Sequence, residues 1–85
     1  MKPQIKYLDP QGREVLAIQW RGHGDHFAVK REGMRNMSSL QGCINTLDYG
    51  LTLVRPGDYI VTSAKGDYKV VSPSSFNISY TPIEE

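Results

Sequence analysis

Short runs of alternating apolar and polar residues fill this chain, and each run is closed by a corner of Gly, Pro, Asp or Ser. Alternation with period two places successive side chains on opposite faces of a strand. Ile5-Lys6-Tyr7-Leu8 leads into Asp9-Pro10-Gln11-Gly12, and Val15-Leu16-Ala17-Ile18-Gln19-Trp20 follows. The corner has an acceptor side chain first, a preset φ second and a permissive residue last, as a type I turn requires. The segment predicts an N-terminal hairpin, with Leu16, Ile18 and Trp20 on one face of its second strand and Val15, Ala17 and Gln19 on the other.

The same grammar returns in the C-terminal half. Leu51–Val54 runs into Arg55-Pro56-Gly57-Asp58, which suits a type II turn, and Tyr59–Thr62 follows. Ser63-Ala64-Lys65-Gly66 predicts a tight hairpin connection, with positive φ at Gly66, before Asp67–Val71. Ser72-Pro73 offers a cap and a first-turn proline, enough for one turn of helix. Phe76, Ile78 and Tyr80 alternate with Asn77, Ser79 and Thr81 and predict a last strand. Phe76→Ala and Ile78→Ala should then each cost about 2–5 kcal/mol, and Asn77→Ala little.

The middle supports two readings. Leu40, Cys43, Ile44 and Leu47 form a helical stripe, and Ser38-x-x-Gln41 is a potential capping box. Gly42 and the poor helix formers after it favour a single turn near Met37–Gln41 and then a strand over Ile44–Leu47. The Gly-punctuated stretch Arg21–Arg35 reads as a loop around a short strand at His26–Lys30. The expected fold is mainly β: a small antiparallel sheet curled into a sandwich or partly open barrel, with one or two short helical turns. Neighbouring strands should pair, and the outer strands should close onto one another to hide their edges. Residues 1–85 are expected to make a single domain with 81–85 a loose tail.

Composition narrows the function. Ten basic residues against nine acidic give +1, so no global field draws the chain to nucleic acid or acidic lipid. One cysteine forms no internal disulfide, and the start carries no secretory apolar segment. No apolar run approaches the length of a membrane span. A cytoplasmic protein, intact from its first residue, is the expectation. The sequons at Asn36 and Asn77 carry no weight without a secretory signal.

Catalytic signatures are missing. No serine lies in a nucleophile-elbow context, and Cys43 sits beside Ile44 in an apolar run expected to be core. Asp9, Asp58 and Asp67 occupy turn positions. His23, Asp25 and His26 are the one cluster with metal-ligand chemistry, but their spacing matches no established site. The reading is therefore a non-enzyme with no cofactor and no metal. Charge is more suggestive. Residues 21–37 carry four cations against two anions, +2, and residues 48–85 carry three against five, −2. Such polarity can orient a protein on a partner or on a phosphate-bearing ligand. The candidate binding residues are Arg21, His26, Lys30, Arg31, Arg35 and Tyr49. Trp20 is expected in the core, and the five tyrosines suit either strands or a contact surface.

Ala17-Ile18-Gln19-Trp20, Ile44-Asn45-Thr46-Leu47-Asp48, Pro56-Gly57-Asp58-Tyr59-Ile60-Val61-Thr62, Lys65-Gly66-Asp67-Tyr68, Ser72-Pro73-Ser74-Ser75-Phe76 and Ser79-Tyr80-Thr81-Pro82 occur in an order that resembles a group of small proteins of tailed bacteriophages and prophages. The match spans most of 44–82 and a few residues near 17–20. It departs at Arg21–Met37, shorter here than the more helical insert of that group. The resemblance supports a strand at Ile44–Leu47 and implies a phage origin, with no activity or site residue to carry over. What it implies is a small non-catalytic binding protein, a host-takeover or counter-defence inhibitor that acts on a host or phage protein in the host cytoplasm. The alternative is a small-barrel module that binds nucleic acid or a nucleotide signal through its basic loop. Metal-dependent hydrolysis at the two histidines ranks last.

Overall fold

The computed structural model describes residues 3–31 and 37–83. In chain order these form β1 (Ile5–Leu8), β2 (Glu14–Gln19), β3 (Gly42–Thr46), β4 (Gly50–Val54), β5 (Tyr59–Thr62), β6 (Tyr68–Val71), α1 (Pro73–Ser79) and β7 (Thr81–Pro82). The protein is mainly β. Five strands form one antiparallel sheet in the order β6-β5-β2-β1-β7, and β3 and β4 form a separate two-stranded ribbon.

Two hairpins are built on one turn used twice. In the first, the Gly12 N–H donates to the Asp9 carbonyl (2.9 Å) and the Asp9 N–H to the Arg13 carbonyl (2.8 Å). In the second, Gly66 donates to Ser63 (2.9 Å) and Ser63 to Asp67 (2.9 Å). Both glycines hold positive φ, +80° and +87°, a region costly for any residue with a Cβ. The side chain at the first position caps the turn each time. Asp9 Oδ1 accepts from the N–H groups of Gln11 and Arg13, and Ser63 Oγ from those of Lys65 and Asp67.

Both faces of the large sheet are covered. Val15 and Ala17 of β2 share a face with Val61 and Val71, and α1 lays Phe76 on it. Ile18, Trp20 and Ile60 occupy the opposite face beneath Ile44 and Val54 of the ribbon. The result is three layers: helix, sheet and ribbon. The alternation along β2 is therefore correct, but both of its faces are core.

Several expectations are corrected. Phe76, Ile78 and Tyr80 do not alternate along a strand, because Pro73–Ser79 is helical. Phe76 is buried at 2% exposure while Ile78 is 86% exposed. The helix runs past its first turn because Phe76 is clasped by tyrosines, two of them from distant strands. Its ring stacks on Tyr59 (3.8 Å) and Tyr80 (4.7 Å) and meets Tyr7 edge-on (4.8 Å). The tail expected over 81–85 is instead the sheet's fifth strand at its start: Thr81 and Pro82 pair with Leu8 and Tyr7, and the Ile83 N–H donates to the Lys6 carbonyl (3.1 Å). Residues 84–85 lie outside the described residues.

Sequence neighbours pair in β1–β2, β3–β4 and β5–β6, and the two end strands pair as expected, β1 with β7; the departure is at β2. β2 pairs with β5, and β4 does not pair with β5. The Arg55–Asp58 turn is of the expected type, with Gly57 at φ +102° and the Asp58 N–H donating to the Arg55 carbonyl (3.0 Å). It is a corner between layers rather than a hairpin, secured by backbone bonds between Trp20 and residues 57 and 58 (2.7 and 2.8 Å). The large sheet stays open, with β6 and β7 as its edges. In the middle the strand reading holds, shifted to Gly42–Thr46. The Ser38 N–H donates to Gln41 Oε1 (3.0 Å), half of a capping box that introduces no helix.

Candidate functional site: a pinned basic loop

The segment from Trp20 to Arg31 crosses from β2 to the ribbon, and local bonds tie it down at nearly every step. The Arg21 N–H donates to Asp25 Oδ2 (2.9 Å) and the Asp25 N–H to the Gly22 carbonyl (3.2 Å). His23 donates from Nε2 to the Gln41 carbonyl (2.9 Å) and sets its ring edge-on to Trp20 (5.2 Å). The Val29 N–H donates to the His26 carbonyl (3.3 Å). Lys30 and Cys43 then exchange backbone bonds of 2.8 and 3.0 Å, an isolated bridge in place of the strand expected at His26–Lys30.

Gly42 allows this docking. A Cβ there would collide with Val29 Cγ1 and press on the Lys30 carbonyl oxygen (3.2 Å) and His23 Cε1 (3.3 Å). Only hydrogen at that position lets the loop lie directly on β3.

His23, Asp25 and His26 do not converge. Asp25 caps the Arg21 N–H, His23 reaches Gln41, and His26 turns into the interior, 2% exposed. No group of three such ligands occurs among the described residues. His26 Nδ1 accepts from the Ala28 N–H (3.1 Å), so the neutral ring carries its proton on Nε2. Among the described residues neither that N–H nor the Trp20 indole N–H, both buried, has a partner. Burial pushes the His26 pKa below its ordinary value, because charging the ring would place a cation away from water.

Among the candidate binding residues, Arg21, Lys30 and Arg31 are exposed on this loop. Arg21 also donates to Gln19 Oε1 (3.0 Å). Arg35 lies outside the described residues. Tyr49 is 82% exposed but sits at the far tip of the ribbon, beyond Thr46, which is roughly 10 Å along β3 from the residue that Lys30 pairs with. His26 is a buried support rather than a contact. The ring that does accompany the cations is Phe27, unremarked in the sequence reading. It is 73% exposed, stacks on His26 (5.1 Å) and meets Tyr68 of β6 edge-on (6.5 Å). A lone Phe inside a glycine-punctuated basic loop was the available signal. Leu40, 72% exposed, adds apolar surface next to Gln41, which holds His23.

A cleft of about 490 Å³ lies at the opposite end, where the Asp9–Gly12 and Ser63–Gly66 turns meet the ribbon tip. Its charged walls set Arg13, Lys65 and Lys69 against Asp9, Glu14, Asp48 and Asp67, three cations to four anions interspersed, so it presents only a weak net field to a charged ligand. The aromatic loop is the better-defined site. No helix among the described residues is long and apolar enough to cross a membrane. Comparison with protein-family models, curated proteins and solved structures gives no match.

Proposed function

We propose that this is a non-catalytic binding protein that uses the pinned loop to engage another protein, with Phe27 as anchor and Arg21, Lys30 and Arg31 as its charged surround. One observation carries the reading: a 73% exposed aromatic ring held on a tightly bonded loop that also carries exposed cations. Aromatic and arginine side chains dominate the energetics of protein contacts, and a pre-ordered anchor loses little entropy on binding. The aliphatic Leu40 suits a protein surface better than a stacked base. Within the described residues the imidazoles and the thiol serve the fold: His23 and His26 are engaged internally and Cys43 is fully buried. The resemblance to small phage proteins makes the host cytoplasm the setting and a host or phage protein the partner, bound as an inhibitor.

Affinity capture from lysate of the bacterial host tests this. Wild-type protein should retain one protein stoichiometrically, and Phe27→Ala and Arg31→Glu should each release it. Capture of nothing stoichiometric, or capture unaffected by either change, would sink the proposal.

A second reading follows from the free face of Phe27, which can stack a base while Lys30 and Arg31 neutralise phosphate. Its signature is binding of single-stranded oligonucleotides or nucleotides that strengthens as salt is lowered and weakens in Arg31→Glu. Absence of binding at low salt removes it.

A further inference from the structure

Among the described residues the two sheets have four outer strand edges, and three of them are blunted. β6 carries exposed Lys69 at its centre, β7 ends in Pro82, which has no N–H to offer, and the outer edge of β3 is occupied by Lys30 through its bridge to Cys43. Charges, prolines and covering segments are the usual protection against edge-to-edge pairing. Among the described residues β4 has none of them along its length. Its five residues, Gly50-Leu51-Thr52-Leu53-Val54, are uncharged, and among the described residues it pairs with β3 alone.

We infer that β4 pairs antiparallel with β4 of a second copy about a two-fold axis at Thr52. The sequence is self-complementary in that register. Leu51 meets Leu53 of the second copy, Gly50 meets Val54, and Tyr49 comes beside Arg55, an aromatic ring next to a guanidinium. Ile44 and Thr52 share the core-facing side of the ribbon, so Leu51 and Leu53 both lie on its outer side. Pairing joins them to their counterparts as a continuous stripe of leucines, and the two ribbons become one four-stranded sheet. A two-stranded ribbon is marginal by itself, so the added ladder also supports the layer that covers Ile18 and Trp20. The exposed Tyr49 acquires a role in this arrangement. The inference is independent of what the basic loop binds.

Sedimentation equilibrium on the intact chain, from micromolar to millimolar protein, reads the association directly. The apparent mass should rise from 9.6 kDa to twice that value. Tyr49→Ala alters an exposed residue and should leave the fold intact while weakening association about tenfold, because symmetry removes two ring–cation pairs. Leu53→Lys installs the missing edge charge and should weaken it by about tenfold or more. Register is read by oxidation: Thr52→Cys lies opposite itself across the axis and should give a disulfide-linked dimer, whereas Asn45→Cys, exposed on β3, should not. A chain that stays at 9.6 kDa throughout overturns the inference. So does a dimer unaffected by Tyr49→Ala, or one that cross-links as well through position 45 as through 52.

Discussion

At the scale of single residues, the contrast between Phe76 and Ile78 decides between strand and helix for the segment that holds both. Phe76 is enclosed by three tyrosines, so Phe76→Ala should cost about 3–5 kcal/mol in urea unfolding. Ile78 projects into solvent, and Ile78→Ala should change stability by under about 0.5 kcal/mol. Equal losses at the two positions would restore the strand. Gly42→Ala should be among the most damaging small substitutions, since loop backbone and Val29 already fill the space of a Cβ. A melting temperature within a degree or two of wild type would show that the loop can lift away from β3. Gly57→Ala should also destabilise, by more than about 1 kcal/mol, through its φ of +102° rather than through crowding.

At the scale of elements, the pinned loop should respond to pH. The His26 pKa in the folded protein lies below the ordinary 6.5, so the unfolded chain takes up the proton first. The neutral ring's contribution is complete above pH 6.5 and is lost as pH falls through the lower folded value. Protonation of Nδ1 would also end its acceptance of the Ala28 N–H. Protection of the Ala28 and Val29 amides, relative to their intrinsic exchange at each pH, should fall below neutrality before that of the β2 and β5 amides does, and His26→Gln should remove that early phase. If the loop and strand amides respond together, His26 is not the cause. Tyr7 and Tyr80 act at the alkaline end. Burial raises both pKa values above 10, with Tyr59 adding to the first and Asp9 to the second, so stability should decline as pH climbs past 10.

The legibility of these elements in the sequence follows a physical line. The turns were readable because Asp, Pro, Ser and Gly act within four residues of themselves, and Asp9–Gly12, Arg55–Asp58 and Ser63–Gly66 all form as their chemistry demands. The 76–80 segment was misread because Phe76 and Tyr80 share a face at helical as well as strand spacing. What chooses between them is Tyr7 and Tyr59, both distant in the chain. The partner of β2 was hidden for a similar reason: with core on both faces, its alternation names no direction for the rest of the chain. Of the residues proposed to bind, the cations were singled out from charge alone, but Phe27 was not, because exposure depends on where the loop docks.

At the scale of the molecule, two apolar clusters lie back to back on β2 and β5 and share their backbone. Neither can open without disturbing strands that the other needs. Trp20 sits in one cluster and Phe76 in the other, so the indole fluorescence of Phe76→Ala tests their coupling. Its unfolding midpoint should fall together with that seen by far-ultraviolet circular dichroism. An indole transition that holds its wild-type position would divide the protein into two independent parts. Cys43 supplies a clock for a smaller opening. Its side chain is wholly buried on β3, at the bridge to Lys30 of the loop, and it is the chain's one cysteine. A thiol reagent added to the native protein should therefore wait for Cys43 to be uncovered, so the labelling rate would count how often its surroundings on β3 open under conditions where the protein is otherwise folded.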